Sequence, residues 1–370
     1  MKLTIDRNAL MRALSHVQAV VERRNTIPIL SNILMVAEGE KLSLTATDLD
    51  IEATDAAPAQ VKKAGSVTAP AQTLFDVVRK LPEGSDVTLD LGEGRLAISS
   101  GRARFALPTL PAADFQTMAR EAAPIKFEIK AAELRRLIDK TRFAISTEET
   151  RYYLNGIYLH HAKGAQGNVL RAVATDGHRL ALAESEAPKG AAALKGIIVP
   201  RKAVGEIRRL LDDAPETVTV EASDSKITVH IGEAVLTSKL IDGSFPDYQR
   251  VIPKDNGRIL TLDNKLFKEA VDRVATVSAE RSRSLKLALA PGKLTITVTH
   301  SESGQGTEEL EANYDSEAME IGFNAKYLLD VASQIEAEDA YIALGDASSP
   351  ALVTDTKDAG TQYVLMPLRV

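Results

Sequence analysis

Two places in this chain of 370 residues carry side chains whose types and spacing could do chemistry. The first is Thr175-Asp-Gly-His-Arg-Leu180, where Asp176 stands two residues before His178 and Ser185 is close behind. An Asp two residues before a His suggests a catalytic dyad, so a hydrolase using His178 with Asp176 is one reading. The structural reading is stronger. Asp-Gly is a hairpin signal, which puts Asp176 and Gly177 in a turn and His178 at a strand start. No phosphate loop, no Gly-x-Ser-x-Gly elbow and no third triad member accompanies them. The second place is His160–His161. Neighbours on a strand face opposite sides, so the two cannot easily ligate one ion. With no cysteine there are no disulfides, thiolate ligands or cysteine nucleophiles. The expectation is a protein with no catalytic residue, no metal and no cofactor.

The elements that would position such residues come from a pattern written three times. Met1 to Val17 reads as a short strand, with Leu3 and Ile5 on one face, then an amphipathic helix carrying Leu10, Ala13, Leu14 and Val17. Phe127, Ile129, Leu134, Leu137, Ile138 and Thr141 repeat it. Leu260, Leu262, Phe267, Ala270, Val271 and Val274 repeat it again. Each copy continues into strands and a second helix. That helix carries Leu74, Val77, Val78 and Leu81 after Pro70, then Val204, Ile207 and Leu211 after Pro200, then Leu328, Val331 and Ile335. The fold class is therefore α+β, with three repeated domains of two helices on mostly antiparallel sheet, at residues 1–124, 125–252 and 253–370.

Composition sets the bounds. A hydrophobic content of 44% supports a buried core. No apolar run approaches the roughly 20 residues of a membrane span. The alternating, acid-bearing start is not that of a signal peptide, and with the lack of cysteine it fits a cytoplasmic protein. The net charge of −6 argues mildly against a nucleic-acid partner until its distribution is read. The six predicted helices, 7–24, 72–80, 131–142, 201–211, 264–283 and 325–336, hold 20 basic and 10 acidic residues; the rest of the chain holds 25 and 41. A positive helical surface without a base-reading motif fits sequence-independent contact with phosphates. Helices are roughly 10 Å wide, so a ring of six leaves about 9 Å free and a ring of twelve about 28 Å. Only the larger ring admits a duplex, which points to a symmetric pair of chains.

The residues at this point resemble the bacterial sliding clamp family, the beta subunit of the DNA polymerase III replicase, over the whole length. The resemblance is carried by Leu44-Thr-Ala-Thr-Asp-Leu49, Arg79-Lys-Leu-Pro-Glu-Gly84, Thr109-Leu-Pro-Ala-Ala-Asp-Phe115, Arg151-Tyr-Tyr-Leu-Asn-Gly156, Ala174-Thr-Asp-Gly-His-Arg-Leu180, Val199-Pro-Arg-Lys202, Thr237-Ser-Lys-Leu240, Phe245-Pro-Asp-Tyr248, Met319-Glu-Ile-Gly-Phe323 and Tyr363 to Val370. It implies a DNA clamp fold: a head-to-tail homodimeric ring of six domains that encircles duplex DNA as a processivity factor and is not itself an enzyme. The implied partners are duplex DNA, a second copy of the chain, the polymerase III alpha subunit, the clamp loader delta subunit, and other polymerases and repair proteins with clamp-binding peptides. No membrane partner is implied.

The resemblance also assigns residues. A cleft for Gln- and Leu/Phe-containing peptides would be formed by Leu154, Thr175, Gly177, His178, Arg179, Leu180, Pro246, Arg250 and Val251. Ser348, Pro350, Val364, Leu365, Met366, Pro367, Leu368 and Arg369 join it. The chain end supports this physically, because an apolar Val-Leu-Met-Pro-Leu terminus must be tied down, and its proline bars a regular central strand. Methionine suits an adaptable docking surface. DNA contact falls on Arg24, Arg151, Tyr152, Tyr153, Arg201 and Lys202. The two tyrosines either stack on bases or belong to strand packing. The dimer contact falls on Arg102, Arg104, Phe105 and Leu107 against Thr276 and Val277, with Glu302, Glu308, Glu309 and Glu311 supplying the opposite charge.

Overall fold

The computed structural model describes residues 1–22, 26–119, 121–165, 167–277, 284–301 and 304–369. Six helices are present among them: α1 (Arg7–Gln18), α2 (Ala71–Lys80), α3 (Ala131–Thr141), α4 (Arg201–Leu210), α5 (Asn264–Ala275) and α6 (Ala325–Ala332). The strands Lys2–Asp6, Ile125–Lys130 and Arg258–Asp263 lead directly into α1, α3 and α5, as the threefold pattern predicts. An Asp opens two of these helices: Asp6 accepts from Ala9 N, and Asp263 from Leu266 N. The apolar stripes Leu10, Ala13, Leu14, Val17 and Phe267, Ala270, Val271, Val274 are buried.

All of the helices but α2 are shorter than their sequence patterns. α1 stops at Gln18 rather than residue 24, and α6 at Ala332 rather than 336. Residues 23–25, which include Arg24, and 278–283 lie outside the described residues.

The chain packs as two compact units. One is Met1–Arg135 with Pro188–Leu194 and Lys202–Leu240; the other is Arg136–Ala187 with Lys195–Arg201 and Ile241–Val370. Every strand pair described is antiparallel. In the first unit a five-stranded sheet ends at the strand Ala103–Pro108. Beside it lies an eight-stranded sheet built from two repeats. The strand Ile51–Pro58 of repeat one pairs with Ala234–Lys239 of repeat two, Ala53 facing Leu236. The second unit has its own eight-stranded sheet with the same kind of seam. There Arg179–Glu186 of repeat two pairs with Asp358–Leu365 of repeat three, Ala181 facing Tyr363. A four-stranded sheet, ending at the strand Gly304–Glu311, completes that unit. Consecutive repeats are thus sewn together by shared sheets.

Several basic residues on the helices are structural, Arg7 among them. Its side chain is buried and donates to Val78 O (3.1 Å) and Arg79 O (2.6 Å) at the end of α2. Arg209 of α4 donates to Ser15 O and His16 O at the end of α1. Lys140 of α3 donates to Gln334 O, just beyond α6. In each case a cation bonds carbonyls at or just beyond a helix C-terminus, where the helix dipole favours positive charge. The positive excess of the helices is therefore partly consumed inside the fold.

Candidate functional site: a docking cleft, free strand edges and basic surfaces

The Thr175–Leu180 segment is a turn between the strands Gly167–Thr175 and Arg179–Glu186. Asp176 Oδ1 accepts from His178 N (2.9 Å) and Arg179 N (3.0 Å), and Oδ2 from Arg179 Nε (3.1 Å). Its carboxylate closes the turn and does not orient the His178 ring, which lies near Tyr327, centroids 6.4 Å apart. Ser185 sits seven residues along the same strand from His178, roughly 23 Å at strand spacing. The hydrolase reading is overturned on this geometry. Gly177 has φ +88°, and a Cβ there would fall against the Arg151 guanidinium, so the position calls for glycine.

The turn lies beside the seam where the docking cleft is expected, in the second unit. Below it lies an apolar cluster of Val173, Leu180, Leu182, Tyr248 and Val364, with Tyr158, Phe245, Ile252 and Leu352 packed against it. The last strand, Asp358–Leu365, runs beside the turn, and the chain then leaves the sheet: Met366 N donates to His178 O (2.9 Å) and Leu368 N to Gly322 O (2.8 Å). Two large apolar side chains remain open to solvent here, Val251 at 42% and Met366 at 38%. Pro246, Arg250, His178 and Arg369 are exposed as well, while Pro367 and Leu368 are half-buried. A concavity is lined by Arg250, Val251, Leu344, Asp346 and Pro350; Ser348 is exposed on the same loop, held by Asp346.

Not every expected cleft residue presents its side chain. Leu154, Leu180, Val364 and Leu365 are buried and act as floor. Thr175 bonds Arg179 O (2.6 Å). Arg179 is buried, paired with Asp176 and with Asp330 (2.5 Å), and stacked over Tyr327 (4.3 Å) and Phe143 (5.1 Å). It positions the turn rather than meeting a ligand.

Sequence reasoning missed the support behind the cleft. Tyr248 Oη accepts from Arg171 Nη1 (2.7 Å) and bonds His160 Nε2 (3.0 Å); Arg171 in turn pairs with Glu184. His160 Nδ1 lies 2.9 Å from His161 O, which can only accept, so Nδ1 carries the proton and Nε2 accepts from the Tyr248 hydroxyl. Tyr158 stacks on His160 (4.6 Å) and on Phe245 (4.9 Å). The period-two alternation around Leu180 could have revealed Val173 and Leu182; nothing local marks the polar network.

Burial, reinforced by the Arg171 charge, holds the His160 pKa below its ordinary 6.5 despite the pull of the His161 carbonyl. Below about pH 6.5 the unfolded chain therefore binds more protons at this position than the fold does. Stability present above that value is expected to fall as pH drops toward the depressed folded value. Melting temperatures of wild type and His160→Gln at pH 7.5 and 5.0 check this. The variant should start lower and show the shallower pH dependence; parallel slopes would refute the role of His160.

The residues expected at DNA are divided. Tyr152 and Tyr153 lie in a short 3-10 segment, Glu149–Leu154, so the strand-packing alternative does not hold. Tyr152 is 54% exposed and meets Tyr153 edge-on at 5.8 Å. Arg151 is paired with Glu148 (2.8 Å). Arg201 is exposed. Lys202 is bound to Asp48 and Glu22, so part of its charge is already matched. Arg24 is not among the described residues.

At the sheet ends, Arg102, Arg104 and Phe105 are exposed and Leu107 is buried. Thr276 is exposed and Val277 half-buried. Of the opposing acids, Glu308 pairs with Arg273 (2.6 Å) and Glu309 with Lys293 (3.0 Å) in their own chain. Glu311 is exposed, and Glu302 lies outside the described residues. Among the described residues no group of three or more His, Cys, Asp or Glu is arranged for a metal ion. Among the described residues no helix is long and apolar enough to cross a membrane.

Repeated α+β domains joined through shared antiparallel sheets, with an apolar cluster at one seam, define a repeated-domain scaffold. Comparison with known proteins gives its family. Models of the DNA polymerase III beta subunit match in series: the N-terminal domain over residues 1–119, the central domain over 128–247 and the C-terminal domain over 249–369. The beta sliding clamp of Caulobacter vibrioides is 59% identical over 372 residues, and that of Escherichia coli K12 is 38% identical over 371; both alignments cover 100% of each chain. The crystal structure of the Caulobacter crescentus clamp superposes with a TM-score of 0.95, covering 100% of both chains. A Bartonella birtlesii clamp bound to griselimycin, 48% identical, superposes at 0.98, again over 100% of both chains. The chain belongs to the DNA polymerase III beta subunit family. Its function is that of a DNA sliding clamp, a non-catalytic component of replication.

Proposed function

We propose that two copies of this chain, each with domains at 1–124, 125–252 and 253–370, close head to tail into a ring around duplex DNA. The observation that carries this is the exposure of one aromatic residue. By hairpin register Phe105 occupies the place held at the two internal seams by Leu236 and Tyr363. Those two are 0% exposed, covered by the neighbouring repeat, whereas Phe105 is 41% exposed on an edge strand. The edge Gly304–Glu311 is the counterpart of the strands that do the covering. Extending the register places Phe105 opposite Gly306 of the second copy, beside Val274 and Val277, and Arg104 opposite Thr307. Self-complementary edges of this kind close a symmetric dimer.

In this reading Arg24, Arg151, Tyr152, Tyr153, Arg201 and Lys202 meet the phosphate backbone without reading sequence. The cleft around Met366, Val251, Pro246 and His178 takes short Gln- and Leu/Phe-containing peptides from the polymerase alpha subunit, the clamp loader delta subunit, other polymerases and repair proteins, by a few apolar anchors. The protein works in the cytoplasm, at the nucleoid during replication. Loading onto nicked circular DNA, followed by gel filtration, tests encirclement. Retention on circles with loss from linear DNA is the expected result; equal loss from both would refute the ring.

A further inference from the structure

The cleft has a twin. The turn Thr47–Ile51 repeats the turn Thr175–Arg179 bond for bond. Thr47 Oγ1 bonds Ile51 O (2.9 Å) as Thr175 Oγ1 bonds Arg179 O, and Asp48 Oδ1 accepts from Asp50 N and Ile51 N as Asp176 Oδ1 accepts from His178 N and Arg179 N. Even the left-handed residue recurs, Leu49 at φ +78° for Gly177 at φ +88°. The seams beside the turns also agree. Glu52 faces Thr237 as Leu180 faces Val364, Thr228 faces Thr237 as Leu352 faces Val364, and Thr45 faces Thr54 as Val173 faces Leu182. Met118, three residues after Phe115, stands where Tyr248 stands three after Phe245, and its N–H donates to Glu52 Oε2 (2.7 Å). A cavity of about 240 Å³ opens at this seam, lined by Glu52, Thr54, Met118, Thr228 and Thr237.

The two clefts therefore share a backbone and differ in chemistry. Wherever the first has Leu180, Leu182, Leu352 or Val364, the second has Glu52, Thr54, Thr228 or Thr237. An apolar anchor seated there would dehydrate the Glu52 carboxylate and the hydroxyl pairs Thr45–Thr54 and Thr228–Thr237 while offering them no hydrogen bond of its own. We propose that Glu52, Thr54, Thr228 and Thr237 are specificity determinants that close the twin cleft to partner peptides and confine docking to one cleft per chain. This rests on the peptide-docking reading of the cleft at Met366.

The test is a graft in the full-length dimer: Glu52→Leu, Thr54→Leu, Thr228→Leu and Thr237→Val together, titrated calorimetrically with a synthetic Gln/Leu/Phe-containing peptide. Wild type should saturate at one peptide per chain and the graft at two. A folded graft that still binds one overturns the proposal. The reverse exchange, Val364→Thr with Leu352→Thr, decides the matter if the graft does not fold. It should weaken binding at the native cleft at least tenfold with the dimer intact, and unchanged affinity overturns the proposal. Failure of the underlying reading looks different, because wild type would then bind no peptide, or bind it equally well without Met366–Val370.

Discussion

A chain lacking Met366 to Val370 is expected to bind partner peptides at least about a hundredfold more weakly while remaining a dimer. Met366 and Leu368 leave the last strand and are pinned by single hydrogen bonds to His178 O and Gly322 O. Removing them strips the cleft of its exposed methionine and one apolar wall. Losing two apolar contacts of about 1.5 kcal/mol each gives about 3 kcal/mol, or two orders of magnitude in affinity. The sheet itself ends at Leu365, and the edges Ala103–Pro108 and Gly304–Glu311 lie elsewhere in the fold, so the assembly should survive. Fluorescence anisotropy with a labelled peptide, beside sedimentation of the same sample, reads both outcomes. Unchanged affinity would remove the cleft assignment.

Phe105→Arg is expected to convert the dimer to a monomer of 39.9 kDa. Phe105 is already partly exposed within one chain, so the replacement should leave the domain folded. In the assembly it would force a charge onto the seat at Gly306 and forfeit about 2 kcal/mol of apolar burial. A closed ring contains that contact twice, so the effect doubles and the dissociation constant should rise by about a thousandfold or more. Mass from light scattering at micromolar concentration decides it. A variant that keeps twice the monomer mass would show that the strand Ala103–Pro108 is not the interface.

How much was legible in the residues depended on the range of the interaction. The buried stripes of α1 and α5, the prolines before α2 and α4 and the Asp-Gly turn at Asp176 are local, and periodicity or turn chemistry exposes them directly. The site residues at Gly177, His178 and Met366 were legible only through ordered motifs, since nothing in their spacing says that a turn and a chain end meet. The Tyr248–His160–Arg171 network was not legible at all. Its members lie up to 88 residues apart and are joined only when the strand Gly167–Thr175 pairs with its neighbours.

Charge illustrates the same division. The concentration of basic residues in helices is a property of the sequence alone. That Arg7, Arg209 and Lys140 spend their charge on helix-end carbonyls, and that Lys202 is matched by Asp48 and Glu22, follows from packing.

The sequence by itself determined a threefold α+β repeat and its helix faces, because these rest on residue type and short-range periodicity. Only the tertiary structure decided that neighbouring repeats share sheets, that Phe105 is left uncovered where Leu236 and Tyr363 are not, and that two identical turns frame one apolar and one polar cleft. Strand pairing between repeats sets those features, and a hydrogen-bond ladder carries no mark of its partner in the local sequence.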